Sequence, residues 1–175
     1  QDREFCDLLE HYQAHSPGDR PWRLILGGDI IDFLQVTVAP DPELAQEKYG
    51  FRVDRSERKL GLDNSAAKVK WKLHRVMDRH RMFFTYLADF IGRGNEVVVI
   101  RGNHDAEFFW TEVHRAFKER LAHIYFGEEA VEGDGQTPDD FKDRIRFHPW
   151  FYYEPDRVWM EHGHQHDAYC SLEHL

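Results

Sequence analysis

The sequence predicts an α/β fold, a β-sandwich flanked by helices. Two observations carry this expectation. Apolar runs and amphipathic stretches follow one another as strand, helix, strand, helix and then hairpin, an order that builds layered α/β architectures. The run Val97-Val98-Val99-Ile100 is β-branched and apolar at every position, the pattern of a strand buried on both faces.

Residues 2 to about 15 read as a helix, with Phe5, Leu8, Leu9 and Tyr12 on one apolar face and Asp2 as its N-cap. Ser16-Pro17-Gly18-Asp19 ends it. Leu24-Ile25-Leu26, closed by Gly27-Gly28, suits a buried parallel strand. Residues 36 to 64 are polar and irregular, with Pro40, Pro42, Gly50 and a charged stretch from 54 to 59. This exceeds an ordinary loop; it reads as an inserted, cap-like segment with some helix of its own, or as a disordered linker. A long helix then runs from 64 or 65 to about 91, where Val69, Leu73, Val76, Phe83, Phe84, Leu87, Phe90 and Ile91 keep helical spacing and Gly92 with Gly94 stops it. After the strand at 96–100, a third helix covers about 106 to 122, and 134–140 is a Gly/Pro/Asp-rich loop. Residues 145–153, a turn at Glu154-Pro155-Asp156-Arg157 and a return strand at 158–161 form the hairpin.

The 175 residues, 41% hydrophobic and 31% charged, suit a single globular domain over residues 1–175. No run approaches the roughly 18 apolar residues of a membrane span. Cys6 and Cys170 are far apart and in no metal-binding spacing, so a cytoplasmic, reducing setting is expected. A net charge of −9 argues against a broad nucleic-acid surface. It does not argue against a phosphate substrate, because carboxylates that hold cations count as negative only while the site is empty.

Three clusters of Asp, Asn and His each begin where an apolar strand ends. They are Gly28-Asp29-Ile30-Ile31-Asp32, Arg101-Gly102-Asn103-His104-Asp105, and His162-Gly163-His164-Gln165-His166. In open α/β sheets, ligands bind at the carboxyl ends of the strands. Taken singly, Asp29 and Asp32 read equally as caps, Asn103 and Asp105 as turn formers, and His104 as a half-buried histidine. Together, carboxylate, amide oxygen and imidazole are the donor set of Mn, Fe or Zn ions.

In this order, Gly28-Asp29-x-x-Asp32, Gly102-Asn103-His104-Asp105 and His162-Gly163 resemble the central motifs of the calcineurin-like metallophosphoesterases. The resemblance spans nearly the whole chain and implies the metallophosphoesterase-type β-sandwich with helices on both sides. It implies two divalent ions (Mn, Fe or Zn), with Asp29 bridging them and Asn103 and His162 on the second. His104 would be the catalytic histidine, Asp105 would orient it, and Asp32 would position another ligand. Arg101 is a further candidate for a phosphate contact. The implied activity is hydrolysis of a phosphomonoester or phosphodiester by a metal-activated hydroxide, with His104 assisting.

Two departures bear on this. The family's opening Asp-x-His and closing Gly-His-x-His motifs are not met, so the expectation is a fragment with an incomplete first-metal site and weak or no activity. Gly163-His164-Gln165-His166 itself satisfies the closing pattern, which would make His164 and His166 the terminal ligands; the strand-turn-strand approach favours His162 instead. The alternatives are a non-catalytic metal-binding or scaffolding relative, and a nucleotide- or nucleic-acid-directed phosphodiesterase.

Overall fold

Alternation along the Val97–Ile100 run decides the layering. Successive strand side chains point to opposite faces. Val97 and Val99 therefore enter the large apolar cluster under the helices, while Val98 and Ile100 pack with Ile25 and Tyr152 on the other side. The computed structural model describes residues 2–15, 18, 20–127 and 137–171. Strands β1 (Arg23–Leu26), β2 (Glu96–Ile100) and β3 (Ile145–His148) form a parallel sheet in that order. Leu26 stands opposite Val99, and Val99 opposite Phe147. Strands β4 (Phe151–Glu154) and β5 (Val158–Glu161) form a separate antiparallel pair. Tyr152 of β4 covers the helix-free face of the parallel sheet. The fold is thus mixed α/β, with three parallel strands and a two-stranded antiparallel ladder.

The helical layer holds α1 (Asp2–Ala14), α4 (Ala66–Arg79), α5 (Arg81–Gly92) and α6 (Thr111–Phe126). α1 buries Cys6 and Leu9, while Leu8 and Tyr12 stay exposed, so its packed face is rotated from the expected one. Asp2 lies inside the helix and its carboxylate meets His80 Nδ1 at 2.9 Å. That contact sits at the break between α4 and α5, where the expected single helix is divided: His80 leaves helical geometry at φ −103°, ψ 40°. No Pro or Gly marks the break in Arg79-His80-Arg81. The break lets α5 pack against α1 and α6 while α4 packs chiefly on α6.

The expected helix at 106–122 is also divided. A 3-10 turn, Ala106–Phe109, precedes α6, and Trp110 between them is extended, with its indole N–H donating to Asn64 O at 3.0 Å. The loop expected at 134–140 lies partly outside the described residues, and Pro138–Asp143 is a helix, α7, opened by a Thr137–Asp140 capping box. The strand expected at 145–153 is two strands, one in each sheet, separated by Pro149 and Trp150; Pro149 has no N–H to continue a ladder. Among the described residues, no helix is long and apolar enough to cross a membrane. Cys6 and Cys170 are both free.

The segment expected to be cap-like carries α2 (Pro42–Tyr49) and α3 (Glu57–Leu60). It has its own small core of Ala45, Phe51 and Leu62, which Ala67 and Trp71 of α4 join. Buried Glu57 staples its ends: its carboxylate accepts the amides of Asp54 and Asp63, both at 3.0 Å, and meets Lys68 Nζ at 2.5 Å. Lys68 also reaches Asp63 at 2.8 Å. Burial pushes the Asp63 carboxyl up, but the bonds from Lys68 and Ser65 together outweigh it and hold it at about 2. A depressed carboxylate stabilises the fold above its unfolded value of 3.8 and stops doing so as pH falls through about 2. Accordingly, amide protection factors in residues 54–68, corrected for the intrinsic exchange rate, should fall between pH 4 and pH 2. Lys68→Met, which leaves Glu57 buried without a cation, should destabilise the protein by about 3 kcal/mol in urea unfolding.

Candidate metal centre

Asp29 and Asn103 are brought together because β1 and β2 are neighbouring parallel strands that end side by side. The loops after them are then locked by one carboxylate. Asp105 is fully buried, and it accepts the amides of Gly102 at 2.6 Å and Ile30 at 3.0 Å, one from each loop. Burial pushes the Asp105 carboxyl above the usual carboxylate value, against the lowering effect of those amides. A third tie runs from the Phe33 amide to His104 O at 3.3 Å.

Asp29 itself has φ +54°, a left-handed backbone that a non-glycine residue adopts at a cost. Its Oδ1 accepts the His104 amide at 2.9 Å, which turns Oδ2 toward His162. Gly102 has to be glycine here: a Cβ at that position would overlap the Asp29 carboxylate and amide. Gly28, at φ +100°, would put a Cβ into the His162 ring. The glycines beside the polar residues therefore make room for them.

His162 enters from the second sheet, immediately after β5. Its Nδ1 lies 2.8 Å from Gly27 O. A carbonyl only accepts, so Nδ1 carries the proton, and when the ring is neutral Nε2 presents a lone pair. That Nε2 lies 3.1 Å from Asn103 Oδ1 and 3.1 Å from Asp29 Oδ2. In that neutral form three acceptor atoms from three separate strand ends converge. Such a group is repulsive by itself and attractive around a cation. An imidazole whose other N–H donates to a backbone carbonyl is also the usual arrangement of a metal-bound histidine.

The remaining expected residues fall into place around this group. The carboxylate beside the His104 ring is that of Asp32, at 3.0 Å from Nδ1, while Asp105 is occupied with the loop amides. Asp32 Oδ1 in turn accepts the amides of Leu34 and Gln35 at 3.1 and 3.2 Å, which fixes the carboxylate. His164 and His166 open a 3-10 turn after Gly163, at φ +91°. His166 turns away to Glu161 at 2.9 Å, and His164 Nδ1 is buried without a partner among the described residues. Burial, helped by His162, pushes the His164 imidazole below its usual value. His148 braces the bend before β4 through Phe151 O at 3.1 Å. The Arg101 guanidinium has no hydrogen bond or ion pair among the described residues, and its charge acts on His164. Trp22, Phe51 and Trp71 are committed to packing.

The donor set fits one ion. Asp29, Asn103 and His162 would hold it, whereas a second ion would have only Asp29 from this group. Among the described residues, no three His, Cys, Asp or Glu side chains stand close enough to hold a metal by themselves, so the amide oxygen of Asn103 is essential to the set. The close packing gives a direct test. Gly102→Ala should destabilise the protein by about 1–3 kcal/mol in chemical unfolding, as overpacking does. Gly27→Ala, whose Cβ would meet only Met160 Cε at 3.6 Å, should change it by less than about 1 kcal/mol. Comparison of the chain with protein-family models, with curated proteins and with solved structures found no match.

Proposed function

We propose that the protein is a metal-dependent phosphoesterase of the calcineurin-like metallophosphoesterase type, with a sandwich of which the two sheets are the central part. The observation that carries this reading is the convergence of Asp29 Oδ2 and Asn103 Oδ1 on His162 Nε2, next to a histidine outside the donor set, His104. A bound divalent cation supplies Lewis-acid polarisation of phosphoryl oxygens at that point.

The chain's own groups account for the rest of the chemistry. Hydrolysis of a phosphoester forms a new P–O bond to water and releases the alcohol, whose oxygen needs a proton as it leaves. His104, about half exposed at its side chain, has its Nδ1 turned to Asp32. In the imidazolium form, Nδ1–H donates to Asp32 and Nε2–H is free to protonate the leaving oxygen. The neutral ring that remains keeps its Nδ1 proton on Asp32. Asp32 is thus a positioning residue for His104, and Asp105 positions the loops. Arg101, whose guanidinium has no partner among the described residues, suits a phosphate oxygen.

The donor count supports a second reading, a metal-binding relative without catalysis, because the described residues bring together one set of three donors, Asp29, Asn103 and His162. The two readings part at His104. With Mn2+ present and an aryl phosphate as substrate, His104→Ala should lower kcat by about 10²–10⁴-fold while Mn2+ affinity stays within about twofold of wild type. His162→Ala should lose the ion. A wild-type protein that binds Mn2+ but hydrolyses no phosphate ester, or a His104→Ala variant with unchanged kcat, would favour the non-catalytic reading.

A further inference from the structure

A cleft of about 350 Å³ opens beside the donor set and shares Asn103 with it. Its walls include Leu34, Ala106, Phe109 and Trp110. Leu34 and Phe109 are 63% and 69% exposed, unusual for large apolar side chains clustered at one place. Both hang from the loops already described. Leu34 lies in the 3-10 turn Phe33–Gln35 that Asp32 caps, and Phe109 ends the turn that follows Asp105. Trp110 is fixed by its bond to Asn64 O, and the Phe109 ring stands against it at 70°, with centroids 5.6 Å apart. The cleft walls therefore keep a set position relative to Asn103.

The lining also says what the cleft does not take. Among the described residues, no Lys or Arg lines it, and its one charged wall residue is Glu107, which is buried. A second phosphate or another anion has no cation to meet there. The volume lies near the lower end of the roughly 300–1,000 Å³ range of small-molecule pockets, room for one ring system. Exposed aromatic faces at the rim stack on flat rings, and base–aromatic stacking is sequence-tolerant for that reason.

We infer that this cleft is a subsite for an uncharged aromatic group, an aryl or nucleobase ring carried by the ester, held against Phe109 and Leu34 while the phosphoryl group sits at Asn103. The inference rests on the phosphoesterase reading, and it makes Phe109 the residue that sets substrate preference.

Calorimetric titration with phenylphosphonate and methylphosphonate, each in the presence of Mn2+, separates the two claims because neither compound is hydrolysed. Wild type should bind the phenyl compound about tenfold or more tightly than the methyl compound. Phe109→Ala should bring the ratio to within about threefold of unity, and Phe109→Tyr should restore it. Circular dichroism confirms that the variants are folded, and Leu34→Ala provides an independent second wall. Equal binding of the two phosphonates by wild type would overturn the subsite alone, as would a preference that survives both Phe109→Ala and Leu34→Ala. Failure of both compounds to bind would overturn the phosphoesterase reading and the subsite with it. A nucleoside monophosphate competing with phenylphosphonate would identify the ring as a nucleobase; competition by phenol derivatives alone would identify it as aryl.

Discussion

One buried carboxylate holds the centre of this protein together. Asp105 has no solvent exposure, yet it accepts an amide from the loop after β1 and an amide from the loop after β2. Hydrogen bonds to a charged acceptor contribute about 1.5–3 kcal/mol each, and a buried carboxylate without them is costly to keep. The two loops are therefore joined by a group that neither can release cheaply. Everything at the strand ends inherits its position from this tie. Asp29 can hold a left-handed backbone because Ile30 is anchored, and Gly102 can press against Asp29 because its own amide is pinned.

From that anchor the polarity of the centre follows. The Asp29 carboxylate is divided between two tasks, with one oxygen on the His104 amide and the other toward His162. The His162 ring is oriented from behind by Gly27 O, which commits its proton to Nδ1. Among the described residues, no group donates to the point where Nε2, Asn103 Oδ1 and Asp29 Oδ2 meet when the ring is neutral. A strained backbone and two close glycine contacts bring these groups together, and strain of this kind persists only where the surroundings over-determine it.

Much of this was legible in the sequence, and the illegible parts share a cause. The strands at 23–26 and 96–100 and the polar clusters after them could be read from apolar runs followed by glycine, because strand burial and turn chemistry are local properties. The pairing of Asp29, Asn103 and His162 could be anticipated from their shared position after strands. Whether Asp32 or Asp105 stands beside His104 could not, because both are acidic residues near a turn and only the tertiary path of the loops separates them. The breaks at His80 and Trp110 were hidden for the same reason. They coincide with bonds to partners distant in sequence, Asp2 and Asn64, and not with Pro or Gly. The apolar walls Leu34 and Phe109 sit beside buried Phe33 and Phe108, and no periodicity distinguishes an exposed phenyl ring from its buried neighbour.

The central claim is that the His162 ring offers Nε2 to a cation while Nδ1 stays protonated on Gly27. Nitrogen-15 NMR of the histidine side chains during titration with Zn2+, a diamagnetic ion, reads both nitrogens at once. The account predicts that one equivalent of Zn2+ shifts His162 Nε2 to a metal-bound position, that Nδ1 keeps its proton, and that His104 keeps both nitrogens free of metal. A His162 ring that is unmoved by bound Zn2+, or that coordinates through Nδ1, would contradict it.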